Sequence, residues 1–154
     1  MARAWRIVKK KFAHHAFDGE GTRQYGSRWS SPGVRVTFAA ESLSLAVLEV
    51  LVHLQSTAPL ADYVTFTVDF SDGLIEDLDP ATLPANWRDF PAPSALQALG
   101  DTWVSRSSFA LLRVPSAIIP HERNFVINPA HSQFMQLVVT GPTALDVDPR
   151  VFRR

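Results

Sequence analysis

The chain has 154 residues, 46% of them hydrophobic and 19% charged, with no net charge and no cysteine. That describes one ordinary globular domain spanning residues 1–154, and excludes a disordered tract, a disulfide framework and a thiolate zinc site. The absence of cysteine is compatible with a reducing, cytoplasmic setting; the N-terminal M-A-R-A-W-R-I-V-K-K-K lacks the apolar core of a signal peptide, and no apolar run reaches membrane-spanning length. The charge is nevertheless uneven. Residues 1–35 hold eight Lys/Arg against two acids, whereas Asp62 to Asp101 holds eight acids against one arginine. Either the charges disperse once the chain folds, or they form a cationic wall for an anionic ligand and an acidic surface elsewhere. The basic stretch carries no nucleic-acid-binding motif.

Trp5 to Val8 reads as a short strand, followed by three lysines and the pair His14-His15. Adjacent histidines diverge on any regular element, so a metal site is not expected there. Phe17 to Gly26 is rich in glycine and polar residues and reads as loop. A glycine-flanked turn, Y-G-S-R-W-S-S-P-G, then presents Arg28 and Trp29. An arginine on a tight loop offers a planar fork of donors to a phosphate.

Val34, Val36 and Phe38 alternate with Arg35 and Thr37, which predicts a strand. The helix that follows is capped by Ser42 or Ser44. Leu43, Val47, Val50, Leu51 and Leu54 form its core stripe. Glu49 falls off that stripe, with Ser42, Leu45, Ala46, Val52 and His53. Two readings are open for Glu49: a solvated pair with His53, or a carboxylate held in a pocket by a partner. Ala58-Pro59 breaks the helix.

Tyr63 to Phe70 alternates as a strand, and Ser71-Asp72-Gly73 is a turn. Residues 74–93, acidic and proline-punctuated, read as short helical pieces and loops, with Trp87 and Phe90 pinning them to the core. A helix runs from Ser94 through Trp103. Phe109 to Ile119 reads as two strand pieces joined at Pro115-Ser116. Another strand covers N-F-V-I-N; Asn124, Asn128 and His131 there are expected to fix turns. A last strand covers Phe134 to Thr140. The fold class is therefore α+β: one mixed, mostly antiparallel core sheet with flanking helices.

There is no phosphate-binding G-x-x-x-x-G-K-[ST], no G-x-G-x-x-G, no H-E-x-x-H and no G-x-S-x-G. Three runs instead carry a resemblance: G-S-R-W-S-S-P-G, L-A-V-L-E-V-L-V-H and L-R-V-P-S-A-I-I-P-H-E-R-N-F-V-I-N-P-A-H. In that order, they resemble the RES domain, whose members include toxins of bacterial toxin–antitoxin pairs. Similarity extends from Trp5-Arg6 to Asp148-Pro149-Arg150.

The resemblance implies an ADP-ribosyltransferase-like fold and an enzyme that consumes NAD, with NAD as substrate and no prosthetic group or metal. It implies Arg28, Glu49 and Ser116 as the catalytic residues. Arg28, Trp29, Phe38 and Arg6 are the substrate-binding candidates. Arg28 would grip a phosphate or ribose oxygen, with Arg6 as a second phosphate contact. Ser116 would orient the substrate or Glu49, and Phe38 or Trp29 would stack on nicotinamide. Phe38 stands where many members carry tyrosine, and keeps the ring without the hydroxyl. The implied partners are an Xre-type antitoxin and an acceptor for the ADP-ribose: water, inorganic phosphate or a protein. A different class of function is a RES-like binding module without catalysis, acting through protein or nucleic-acid contacts.

Overall fold

The computed structural model describes residues 1–54 and 60–152. Seven strands make one sheet: β1 (Ala2–Lys9), β2 (Thr37–Ala40), β3 (Tyr63–Phe70), β4 (Ile75–Asp77), β5 (Leu111–Pro115), β6 (Arg123–Ile127) and β7 (Val138–Ala144). Their spatial order is β4-β5-β6-β2-β1-β3-β7. Only β4 and β5 run parallel; every other neighbouring pair is antiparallel. The α+β class with a mixed, mostly antiparallel sheet is thus the architecture observed. Three α-helices accompany it: α1 (Glu20–Tyr25), α2 (Leu43–Leu51) and α3 (Ser94–Arg106). No helix among the described residues is long and apolar enough to cross a membrane.

Strand register decides which residues share a face. Phe38 pairs with Val126 and Val126 with Leu112; Ala40 pairs with Asn124 and with Trp5, and Asn124 with Val114. Alternation puts all of these on one side of the sheet. Helix α3 covers part of that side, burying Leu96 and Trp103 against Leu112, Val114 and Val126. Helix α2 covers another part, packing Leu45 and Ala46 on Ala40, Trp5 and Ile7. The opposite face holds Ala4, Val68, Phe70, Phe125 and Ile127 under the two segments that carry Leu74 and Leu137. Two helices on one face, seated on different strands, leave a gap between them.

Local details depart from the expectations in informative ways. The Phe17–Gly26 stretch contains α1 rather than loop alone. The Asp18 carboxylate accepts the Glu20 N–H, and Thr22 donates its hydroxyl proton to the Val36 carbonyl while accepting the Val36 N–H. Glycine at the helix end then halts it: Gly26 sits at φ 70°, where a side chain is strained. Strand β2 begins only at Thr37, after the expected Val34 and Val36, and runs on to Ala40.

Ser42 caps α2 by accepting the Leu45 N–H at 3.1 Å. Val47, Val50, Leu51 and Leu54 pack together as expected, against Leu60, Tyr63 and Leu145, but Leu43 is exposed and Leu45 is buried. The helix is sandwiched, with its second face turned to the sheet. The break expected at Ala58-Pro59 lies outside the described residues.

Residues 75–77, read as irregular, form β4. The second strand piece expected after Pro115 is absent. The Ser116 hydroxyl accepts the N–H groups of Ile118 and Ile119, which removes the donors a strand ladder would use. The last strand is shifted, with a 3-10 turn over Ser132–Gln136 preceding β7.

Candidate active site

The turn after α1 is built from small polar residues. The Ser27 N–H donates to the Ser30 carbonyl at 2.8 Å, and the two hydroxyls lie 2.6 Å apart. Arg28 and Trp29 occupy its corner and their side chains part: Trp29 packs into the core under α3, 3% exposed, and Arg28 faces the gap.

Helix α3 grips this turn along one face. Gln97 Nε2 donates to the Ser27 and Ser30 carbonyls at 3.0 and 3.3 Å, and Asp101 accepts the Ser31 N–H at 2.9 Å. Between them Gly100 lets the helix touch the backbone: a Cβ there would lie 1.6 Å from the Trp29 carbonyl oxygen.

Arg28 Nη1 donates to the carbonyls of Trp87 and Asp89 at 2.8 and 3.1 Å, tying the turn to the segment before α3. Its Nε and Nη2 have no hydrogen-bond partner among the described residues. Partial burial pushes its pKa down, and the carboxylates of Glu49 and Asp89 oppose that; an arginine remains cationic regardless.

Glu49 comes from the sheet-facing side of α2. Its Oε1 accepts from Ser116 Oγ at 2.8 Å and from Asn124 Nδ2 at 2.7 Å. Both donors are neutral, and no salt bridge to Glu49 exists among the described residues. Its Oε2 has no hydrogen-bond partner among them. This rules out the solvated pair with His53, although His53 borders the same space. A charge-assisted pair of bonds to one oxygen fixes the carboxylate while preserving its charge.

Between α2, α3 and the Arg28 turn lies a cavity of about 780 Å³, within the roughly 300–1,000 Å³ of small-molecule sites. Arg28, Trp29, Phe38 and Glu49 all border it. Ser116 does not: it is fully buried behind Glu49, with one hydroxyl serving Glu49, Ile118 and Ile119. Of the two roles expected for it, the contact made is the one to Glu49.

Arg6, expected as a second phosphate contact, is engaged elsewhere. Its guanidinium donates to the Ala16 carbonyl at 2.6 Å and the Phe38 carbonyl at 2.9 Å, and lies 5.7 Å from the Phe17 ring centre. Burial pushes its pKa down to about 10, so it stays charged and braces β1, β2 and the turn after β1.

Four bordering residues escaped the sequence reading. Asn124 was expected to fix a turn, as Asn128 and His131 do; its place on β6 instead aims it at Glu49. Phe90 was expected to pin its loop with Trp87. Trp87 packs against the core, but Phe90 is 84% exposed at the cavity edge. Tyr25 and Arg88 also border the cavity. For Asn124, the available signal was strand alternation with Val126, which places it on the helix-covered face.

The RES domain model matches residues 3–148. The chain is 36% identical over 148 residues to "Toxin Res" of Yersinia enterocolitica, covering 96% of this chain and 97% of the relative. It is 35% identical over 156 residues to the "Prs ADP-ribosylating toxin" of a Sphingobium strain, covering 97% and 96%. In fold it is similar to a chain in the crystal structure of the M. tuberculosis MbcT–MbcA toxin–antitoxin complex. There the TM-score is 0.77 at 22% identity, over 98% of this chain and 86% of that one.

Proposed function

Because the chain belongs to the RES domain family, we propose that it is the toxin of a toxin–antitoxin pair and that it cleaves the nicotinamide–ribose bond of NAD. The observation that carries this reading is the state of Glu49. The carboxylate is held through one oxygen by Ser116 and Asn124, with no cation paired to it among the described residues, at the wall of a dinucleotide-sized cavity that also contains Arg28.

The chemistry suits one carboxylate. When the bond from ribose C1′ to the nicotinamide nitrogen breaks, its electron pair goes to the ring, which leaves neutral. No general acid is needed, unlike ordinary glycoside hydrolysis. Positive charge grows on the ribose, and a fixed carboxylate in a partly closed site lowers the energy of that charge. Glu49 fills this role. Ser116 and Asn124 hold it without cancelling its charge. Arg28 contributes its Nε and Nη2 to a phosphate, keeping the dinucleotide in register. Phe38 presents a ring to the nicotinamide side. Water, phosphate or a protein nucleophile then attacks C1′ and gives up its proton.

Incubation of the pure protein with NAD, with and without phosphate, tests this. Nicotinamide should be released, and the partner product identifies the acceptor: ADP-ribose, its 1-phosphate, or added mass on a protein. No nicotinamide in any arm refutes the reading.

A toxin that drains NAD from the cytoplasm must be held inactive by a cognate antitoxin, of the Xre type in this reading. The acidic stretch from Asp62 to Asp101 offers that partner less free charge than its sequence implies. Asp69, Glu76 and Asp77 are already paired with Arg3, Arg106 and Arg113. Closing the cavity mouth is the direct route to inhibition.

A further inference from the structure

We infer that the segment before α3, through Arg88 and Phe90, together with Tyr25 at the end of α1, forms the site for the adenosine-phosphate half of the substrate. This rests on the reading of the cavity as a dinucleotide site and names which end binds where. The charged groups bordering the cavity among the described residues are few: Arg28, Arg88 and Glu49, with His53 as a titratable neighbour. A pyrophosphate carries two negative charges and a nicotinamide ribosyl group carries one positive charge. Two arginines and one carboxylate match that pattern.

Arg6 is committed to backbone carbonyls, so it does not supply the second cation. Arg88 does. Its Nε donates to the Ala117 carbonyl at 2.9 Å, and both terminal nitrogens have no hydrogen-bond partner among the described residues. Arg28 is bonded to the carbonyls on either side of Arg88, those of Trp87 and Asp89. The two guanidinium groups are therefore set by one short stretch of backbone, an arrangement suited to adjacent phosphates.

Aromatic rings supply the second, independent sign. Tyr25 and Phe90 border this same cavity and are 82% and 84% exposed. Large rings left in water at the edge of a concave site provide flat apolar faces for a planar base. The reacting end, by contrast, belongs with Glu49 and the half-buried Phe38. Around the cavity, Glu49 and Phe38 are half-buried, whereas Tyr25, Arg88 and Phe90 are exposed.

Two measurements on the full chain test this. Calorimetric titration with ADP-ribose, which lacks nicotinamide, should show binding, weakened about tenfold or more by Arg88→Ala and by Phe90→Ala, the loss of a charged hydrogen bond or a stacking partner. Nicotinamide release should be compared for NAD and nicotinamide mononucleotide, which lacks the adenylate. The NAD-to-mononucleotide ratio of kcat/KM should fall about tenfold in Arg88→Ala, with partial recovery in Arg88→Lys. Both side chains are exposed, so folding is not at stake. An unchanged ADP-ribose affinity in both variants, or an unchanged ratio, overturns the assignment even if NAD is cleaved. Binding of ADP-ribose that depends on Arg88 and Phe90, without any nicotinamide release from NAD, would uphold it and defeat the cleavage reading instead.

Discussion

Ser116 Oγ donates to Glu49 Oε1 at 2.8 Å across 67 positions of sequence, while the same oxygen of Ser116 accepts two backbone N–H groups. Those two N–H groups orient the hydroxyl, so its proton has one useful direction. Glu49 is thereby positioned by the backbone of the turn after β5, with Asn124 of β6 as the second tether.

Removing either tether should lower turnover more than binding. Ser116→Ala is expected to reduce kcat by about 10- to 100-fold, the equivalent of losing one hydrogen bond to a charged group, with a smaller change in KM. Asn124→Asp gives a different signature. A second carboxylate 2.7 Å from Glu49 makes the two share a proton near neutrality, so activity should be low there and recover as pH rises. Steady-state rates across pH distinguish this from a merely structural loss, which pH would not restore.

Gly100 and Gly21 make an opposed pair. Gly100→Ala would thrust a Cβ into the Trp29 carbonyl and separate α3 from the Arg28 turn, so both stability and activity should fall. Gly21→Ala faces open space within α1 and should stabilise the fold by about 0.5–1 kcal/mol. Urea unfolding of the two variants measures both effects.

Arg28→Ala should raise KM for NAD more than it lowers kcat, because a phosphate carries its charge in ground and transition states alike. Arg28→Lys should recover only part of the affinity, since a single ammonium cannot keep the two carbonyl contacts and also offer a phosphate a planar two-nitrogen fork. Equal KM in wild type and Arg28→Ala would remove the phosphate role.

The acid limb of stability has an identifiable contributor on the surface. Hydrogen bonding from Arg23, helped by Gln24 and by the charges of Arg23 and Arg35, holds the Glu20 carboxyl down at about 2, below its ordinary 4.5. A depressed carboxylate stabilises the fold above the unfolded value and loses that contribution as pH falls toward the folded one. Glu20→Gln should therefore flatten the decline of stability between about pH 4.5 and 2 and lower stability near neutrality by the same amount, a small one because the group is solvent-exposed. Unfolding curves at several pH values would show it.

Period and punctuation made much of the scaffold legible. The alternation of Tyr63–Phe70 and the cap at Ser42 rest on local chemistry, which a short window of sequence contains. What that window lacks is the opposing surface. The two faces of α2 are both apolar enough to bury, so periodicity alone did not tell which side Glu49 would share. Asn124 required knowing that β6 lies beside β2 under a helix. Phe90 shows the same limit in reverse: an aromatic in a proline-rich segment is usually buried, and only its position at the cavity edge accounts for its exposure. Arg6 looked like a free cation because its acceptors, two backbone carbonyls, leave no trace in sequence.

The central claim is that the charge of Glu49 drives departure of nicotinamide, and Glu49→Gln measures it most directly. Glutamine keeps the size, suits the helix nearly as well, and removes the charge. Nicotinamide release from NAD should fall about 100- to 1,000-fold, as for loss of a preorganised electrostatic contact, while NAD affinity measured by calorimetry changes far less. A folded Glu49→Gln protein that releases nicotinamide at the wild-type rate would contradict the account.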